Sequence, residues 1–325
     1  MDCTGLTRGG QYHLVVSLPD RYYTGPMDGR AEPVTEVAAE AHADLDLRST
    51  QELVELLNEE DATVPAAVRG AASNLAAAID AIVERLEHGG RLVYVGAGSS
   101  GRLALVDAAE CGPTFGVTPG QVLAVIAGGP GAAAVAQEAA EDDHGAGSAD
   151  LTAVGIVADD AVVALSASGG TPYVLGAAGA ARAAGALTVG VVCARDSELA
   201  RLVDHEVVAV VGPEVIAGST RMKAGTAQKL ILNTISTVSM VRLGKTFGNL
   251  MVDLVASNAK LRARARRAVA LATNASEEQV ETALEAASGD AKVAIVSLLS
   301  GLDAEGARSR LQAAGGVVRR SIAEQ

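Results

Sequence analysis

The chain has 325 residues, of which 49% are hydrophobic and only 2% aromatic, with no Trp. That length holds one large α/β domain or a mid-sized domain with a small one, its core built of Ala, Val and Leu. A formal charge of −13 from 26 basic and 39 acidic residues argues against a nucleic-acid partner, and the shortage of aromatics argues against a base- or sugar-stacking platform.

Residues 1–34 are rich in Gly, Pro and polar groups without a sustained period, and read as a weakly ordered extension in which Met27 is an alternative start. Ser49 with Glu52 three positions on forms a capping box opening a helix over 49–61. One long Ala-rich helix is expected next, from Val64 to the stop at Gly89-Gly90. Strands and helices then alternate. Strands are expected at 91–98, 121–129, 160–170, 187–193 and 206–212, with helices at 100–110, 131–141 and 171–185 and a short one after Ser197. The strands are continuous Val/Ile/Leu/Ala runs, as suits strands covered on both faces. Repeated strand–helix units imply an α/β fold with a doubly wound parallel sheet of about five strands.

From Ser219 onward the pattern is helical, with one long helix over 219–245 and others near 255–272, 276–287, 289–299 and 303–314. The expected division is a main domain over 35–254 and a small C-terminal helical domain over 255–325, which at its size should dock on the main domain or a partner subunit. Arg262, Arg264, Arg266 and Arg267 spread around a helix and read as a solvated face.

Cys3, Cys111 and Cys193 are too scattered for a disulfide framework, which points to a reducing, cytoplasmic compartment. The five histidines form no H-x-x-x-H or Cys/His cluster, so no metal site is expected. No apolar run reaches the ~18 residues of a membrane span, and the N-terminus lacks a signal-peptide pattern.

Chemistry is expected beyond the carboxyl ends of the strands, near the switch in strand order. Gly96, Gly98 and Gly101 in GAGSSG have dinucleotide-turn spacing, but the second strand ends Val125-Ile126-Ala127-Gly128-Gly129, without the acid that would hold a ribose. GAGSSG (96–101) and SASGGT (166–171) each lead into a helix N-terminus, where free N–H groups favour an anion. Ser99, Ser100, Ser166, Ser168 and Thr171 add hydroxyls, together a cradle for a phosphate monoester.

Glu110 is expected to end the helix after GAGSSG, where the negative end of the dipole would raise its pKa. Glu141 stands beside Asp142 and Asp143, whose like charges push the same way. Raised carboxyls suit general acid–base work near neutrality; a solvated acidic helix end is the plain alternative for both. Arg221 and Lys223 fall in the expected first turn of the long helix, where cations are disfavoured. They answer an anion, a carboxylate, or only solvent. Gly225 inside that helix suggests close packing or ligand approach.

The strings VGAGSSGRLALVDAAECGPTFG, ASGGTPYVLGA, VGPEVIAGSTRMKAGTAQKLILNTIS and GKTFGNLMVDLVASNAKL together resemble the N-acetylmuramic acid 6-phosphate etherases, from about Thr35 to the C-terminus. The resemblance implies a sugar isomerase (SIS) domain followed by a small helical domain, acting as a cytoplasmic homodimer in cell-wall recycling without a cofactor. Its implied substrate is an amino-sugar phosphate, cleaved to N-acetylglucosamine 6-phosphate and D-lactate. It implies Glu110 as the proton donor and Glu141 as the second catalytic glutamate. Ser99, Ser100, Ser166, Ser168, Thr171 and Lys223 would then bind substrate or its phosphate. The family usually has an arginine at Gly170, a serine at Ala109, a proline at Gly112 and an asparagine after Glu36, which this chain lacks. Two other readings share the ancestry or fold: a sugar-phosphate sensor related to glucokinase regulatory proteins, and an aldose–ketose isomerase.

Overall fold

The structure, a computed structural model, describes residues 34–135, 137–254 and 259–323. The extension expected over 1–34, Met27 included, lies outside the described residues except at Val34. Helix α1 (Thr50–Asp61) opens as expected: Ser49 accepts the Glu52 N–H, and the Glu52 carboxylate accepts the Ser49 N–H at 2.7 Å. The single Ala-rich helix is instead two, α2 (Val64–Gly70) and α3 (Ala72–Glu87), with a 59° bend at the break between them. Gly70, a poor helix former, stands at that break. The bend lets α3 bury Leu75, Ile79, Ile82 and Leu86 against the sheet.

The alternating region comprises β1 (Leu92–Gly96), α4 (Gly98–Phe115), β2 (Val122–Ile126), α5 (His144–Ala153), β3 (Ala161–Leu165), α6 (Pro172–Ala183), β4 (Leu187–Val192) and β5 (His205–Val208). The five strands are all parallel, in the order β2-β1-β3-β4-β5. Leu92 and Tyr94 pack on α3, α4 and α7 (Lys223–Arg242), while Val93 and Val95 pack on α5 and α6. Both faces are covered, which is why the strand sequences do not alternate in polarity. The expected doubly wound α/β fold is therefore what forms. A buried carboxylate fastens one face: Asp107 of α4 accepts from Tyr94 at 2.8 Å, Asn233 at 2.6 Å and Ser236 at 3.1 Å.

Several elements differ from expectation. No α-helix forms over 131–141 among the described residues; there are 3-10 turns at Pro130–Ala133 and Glu138–Ala140. Gly128 and Gly129 take positive φ of 80° and 70°, redirecting the chain, and the helix starts later, where Asp143 caps the Ala146 N–H at 2.8 Å. Helix α4 runs past Cys111-Gly112-Pro113 to Phe115 and ends at Gly116 with φ 62°. Pro113 removes only the bond to the Ala109 carbonyl, and Ala109 is exposed. Strand β5 is shorter than expected, and α7 begins at Lys223 rather than Ser219.

The C-terminal helices are α8 (Ala259–Thr273), α9 (Glu277–Ala286), α10 (Ala291–Ser300), α11 (Ala304–Ala313) and α12 (Val318–Ala323). They pack around Val269, Val280, Ile295 and Leu311, a core separate from those of the sheet. Helix α12 and a hairpin, β6 (Thr246–Phe247) with β7 (Leu250–Met251), were not legible in the sequence. No single helix among the described residues is long and apolar enough to cross a membrane.

Candidate active site

Strands β1 and β3 are neighbours, Gly96 opposite Leu165, and the connections leave in opposite directions at this point. GAGSSG and SASGGT therefore emerge side by side at the carboxyl edge, at the switch point where open α/β sheets bind ligands. The glycines of the first loop have local tasks. A Cβ on Gly101 would stand 2.5 Å from Ile126 Cγ1 and 2.7 Å from the Gly96 carbonyl, so its absence lets α4 lie on the strands. Gly98 has φ 53°, and a Cβ there would overlap Glu141 Oε1. The spacing that imitates a dinucleotide turn thus makes room for a carboxylate.

The hydroxyls divide by role. Ser100 donates to Gln228 Oε1 at 2.8 Å, tying the start of α4 to α7. Ser166 is buried, shares a 2.8 Å hydrogen bond with Thr171 and accepts the Gly169 N–H at 2.9 Å, which shapes the second loop from inside. Ser168 accepts the Gly170 N–H at 3.2 Å and, with Thr171, lines a cavity of about 380 Å³. Glu36, Glu141, Asp142 and Gly170 line it too, next to the first turn of α6. Ser99 lines a different cavity of about 380 Å³ with Arg102, Arg221 and Lys229. A larger cavity of about 490 Å³ lies away from both loops, where Lys245, Asp253 and Lys292 join the sheet domain to the C-terminal helices.

Glu141 is where the two loops meet. Its carboxylate faces Gly98 of the first, and its carbonyl accepts the Tyr173 N–H at 3.0 Å in the first turn of α6, beyond the second. Burial pushes its carboxyl above the ordinary range, and the charges of Asp142 and Glu138 add to this against the pull of Arg102. Glu110 is elsewhere. It is exposed on α4, and the helix from Gly98 to Glu110 spans about 18 Å at 1.5 Å per residue. Glu110 does not end α4, which continues to Phe115. Within one chain Glu110 lies about three turns along α4 from Gly98, which faces Glu141.

Lys223 lines neither loop cavity. Its buried ammonium donates to Glu60 Oε2 at 2.5 Å, while the Lys223 and Ala224 N–H groups donate to Glu214 at 3.0 and 2.9 Å. The N-terminus of α7 is thus already answered by two carboxylates of the chain itself. Neither buried cysteine has nucleophile character, since burial pushes the thiols of Cys111 and Cys193 up to about 12.

Residues 74–181 match the model of the glucokinase regulatory protein N-terminal SIS domain. A protein of Rubrobacter xylanophilus named N-acetylmuramic acid 6-phosphate etherase is 58% identical over 92% of this chain and 99% of its own length. This chain belongs to the N-acetylmuramic acid 6-phosphate etherase family. Etherases of that name from Streptomyces avermitilis (53% identical over 89% of this chain and 93% of that protein) and Escherichia coli (48% over 89% and 97%) extend the same agreement.

Set against the etherase motifs, the structure adds residues that the sequence reading did not assign. Glu36 and Asp142 join the second loop's cavity, and Arg102 and Lys229 join Ser99. The signal for Arg102 was present, since it follows Ser99 by three positions, a spacing that shares a helix face, whereas Arg221 precedes α7 and joins Lys229 only through the fold. Gly170, where etherases usually carry an arginine, would meet with a Cβ only Ser168 Oγ, at 3.9 Å.

Proposed function

We propose that this chain is a lyase that cleaves the lactyl ether of N-acetylmuramic acid 6-phosphate, releasing D-lactate and N-acetylglucosamine 6-phosphate. The observation that carries the reading is Glu141, a carboxyl with raised proton affinity held where two Ser/Thr/Gly loops converge at the sheet's switch point. Ser168 and Thr171, whose hydroxyls line the second loop's cavity beside the positive end of α6, receive the phosphate. Ring opening exposes the carbon 1 aldehyde, which acidifies the proton on carbon 2. Glu141 in its ionised form takes that proton, the carbon 3–oxygen bond breaks, and a second acid protonates the departing lactate oxygen. Water then adds across the alkene, its hydroxyl to carbon 3 and a proton to carbon 2. A raised carboxyl is the stronger base, which suits this step.

Glu110 fills the acid role from a partner subunit, because within its own chain it lies too far along α4. The functional unit is accordingly a homodimer, and exposed Val106 beside it, with Val238 and Val241 of the adjoining α7, offers apolar surface for the contact. Placement in the cytoplasm, in recycling of wall amino sugars, follows from the family reading. The test is to supply N-acetylmuramic acid 6-phosphate and assay D-lactate. Stoichiometric lactate supports the reading. A folded protein that binds the sugar phosphate and releases none is a sensor, and one that isomerises it is an aldose–ketose isomerase.

A further inference from the structure

The substrate proposed above carries two anions at separate positions, a phosphate on carbon 6 and a carboxylate on the lactyl group at carbon 3. Two cavities flank the GAGSSG turn, and their charges are opposite. The one at the second loop has three carboxylates, Glu36, Glu141 and Asp142, and no Lys or Arg in its lining. The one at Ser99 has three cations, Arg102, Arg221 and Lys229, and no Asp or Glu. Among the described residues none of these three cations makes an ion pair; Arg102 Nε donates to the Ala132 carbonyl at 3.1 Å. Leu103 and Gly225 supply an apolar part of the lining.

We infer that the Ser99 cavity takes the lactyl group, with Arg221 and Lys229 on its carboxylate and Leu103 against its methyl. This rests on the etherase reading, and assigns the two residues as determinants of substrate specificity. The other cavity is taken by the phosphate in that reading and holds no Lys or Arg for a second anion. Placement also follows from the bonds. Carbon 2, whose proton Glu141 removes, is bonded to carbon 3, which bears the lactyl oxygen, so the leaving group must lie within a few bonds of the base. The Ser99 cavity does so: Ser99 adjoins Gly98, which faces Glu141, and the Arg102 charge acts directly on that carboxyl. Gly225, unexplained as a helix residue, takes part in this lining, where a side chain would narrow the space.

The experiment is a titration of N-acetylmuramic acid 6-phosphate and of N-acetylglucosamine 6-phosphate, which lacks the lactyl group, into protein carrying Glu141→Gln so that the substrate persists. Adding Arg221→Met or Lys229→Met should weaken the first ligand about tenfold to a hundredfold, the effect of one charge-assisted hydrogen bond. The second ligand should change less than about twofold, within the scatter of independent sites. Equal losses for both ligands, or no loss for either, overturn the assignment. A methyl ester of the lactyl carboxylate, titrated into protein with Arg221 and Lys229 intact, gives the same decision without those substitutions: binding as tight as the free acid overturns it. Failure of the etherase reading is separate, because it shows as absence of lactate release by the unaltered enzyme, whereas these titrations do not depend on turnover.

Discussion

At the scale of single residues, the proton affinity of Glu141 follows from its surroundings. Burial and the neighbouring Asp142 and Glu138 raise it, and Arg102 opposes them. A base acts when ionised, so activity is lost as pH falls through its raised pKa, at higher pH than for an ordinary glutamate. Arg102→Met removes the one charge that pulls the pKa down, so the acid limb of the kcat/KM profile should move to higher pH; an unmoved limb would detach that limb from Glu141. Glu141→Gln should lower kcat by about 10²- to 10⁴-fold, the usual worth of general base catalysis. Glu141 was legible from its acidic neighbours, although the helix it was expected to end does not form. Lys223 answers a carboxylate, one of the partners its position suggested, but that partner, Glu60, is 163 positions away in the chain and no local pattern names it.

At the scale of elements, the contact of α5 with α6 explains both the missed helix and its glycines. A Cβ on Gly147 would run into the Tyr173 carbonyl, and one on Gly176 into that of His144. Gly145 and Gly147 depress helix propensity, so the segment reads as a loop by sequence, and packing overrides propensity. Gly147→Ala should cost about 3 kcal/mol in chemical denaturation, the upper end for overpacking, since backbone is the obstacle. Gly179→Ala on the same α6 meets nothing within 4 Å and should add about 0.4–1 kcal/mol by restricting the unfolded chain. Equal effects from the two substitutions would remove close packing as the reason for Gly147. The strands were legible because their hydrophobicity is continuous, and α1 because Ser49 and Glu52 spell its capping box; Asp143, Ser276, Asp290 and Asp303 also satisfy first-turn N–H groups. Of these caps, the one at Asp143 was hidden by its role as an acidic neighbour of Glu141.

For the whole molecule, the sheet order gathers residues far apart in sequence. Parallel pairing of β1 with β3 sets loops 70 positions apart side by side, Gly96 starting one and Ser166 the other. That arrangement was expected from the strand–helix rhythm alone. The separation of Glu110 from Glu141 was not, because it depends on the turns after Gly128-Gly129, which replace the expected helix and bring Glu141 back to Gly98 at the start of α4. If each site takes Glu110 from the partner subunit, mixing inactive Glu110→Ala and Glu141→Ala subunits should restore activity. Half of the randomly paired dimers then hold one intact site of two, giving about a quarter of full activity. A mixture as inactive as its components would put both glutamates to work within one chain or discard Glu110.

The most direct test of elimination followed by hydration is turnover of N-acetylmuramic acid 6-phosphate in water enriched in oxygen-18, with both products weighed. Cleavage between carbon 3 and the ether oxygen leaves that oxygen on lactate. The expected result is unlabelled D-lactate and N-acetylglucosamine 6-phosphate carrying one solvent oxygen beyond any exchanged at carbon 1. Label in the lactate hydroxyl, or no lactate from folded protein, would contradict the mechanism.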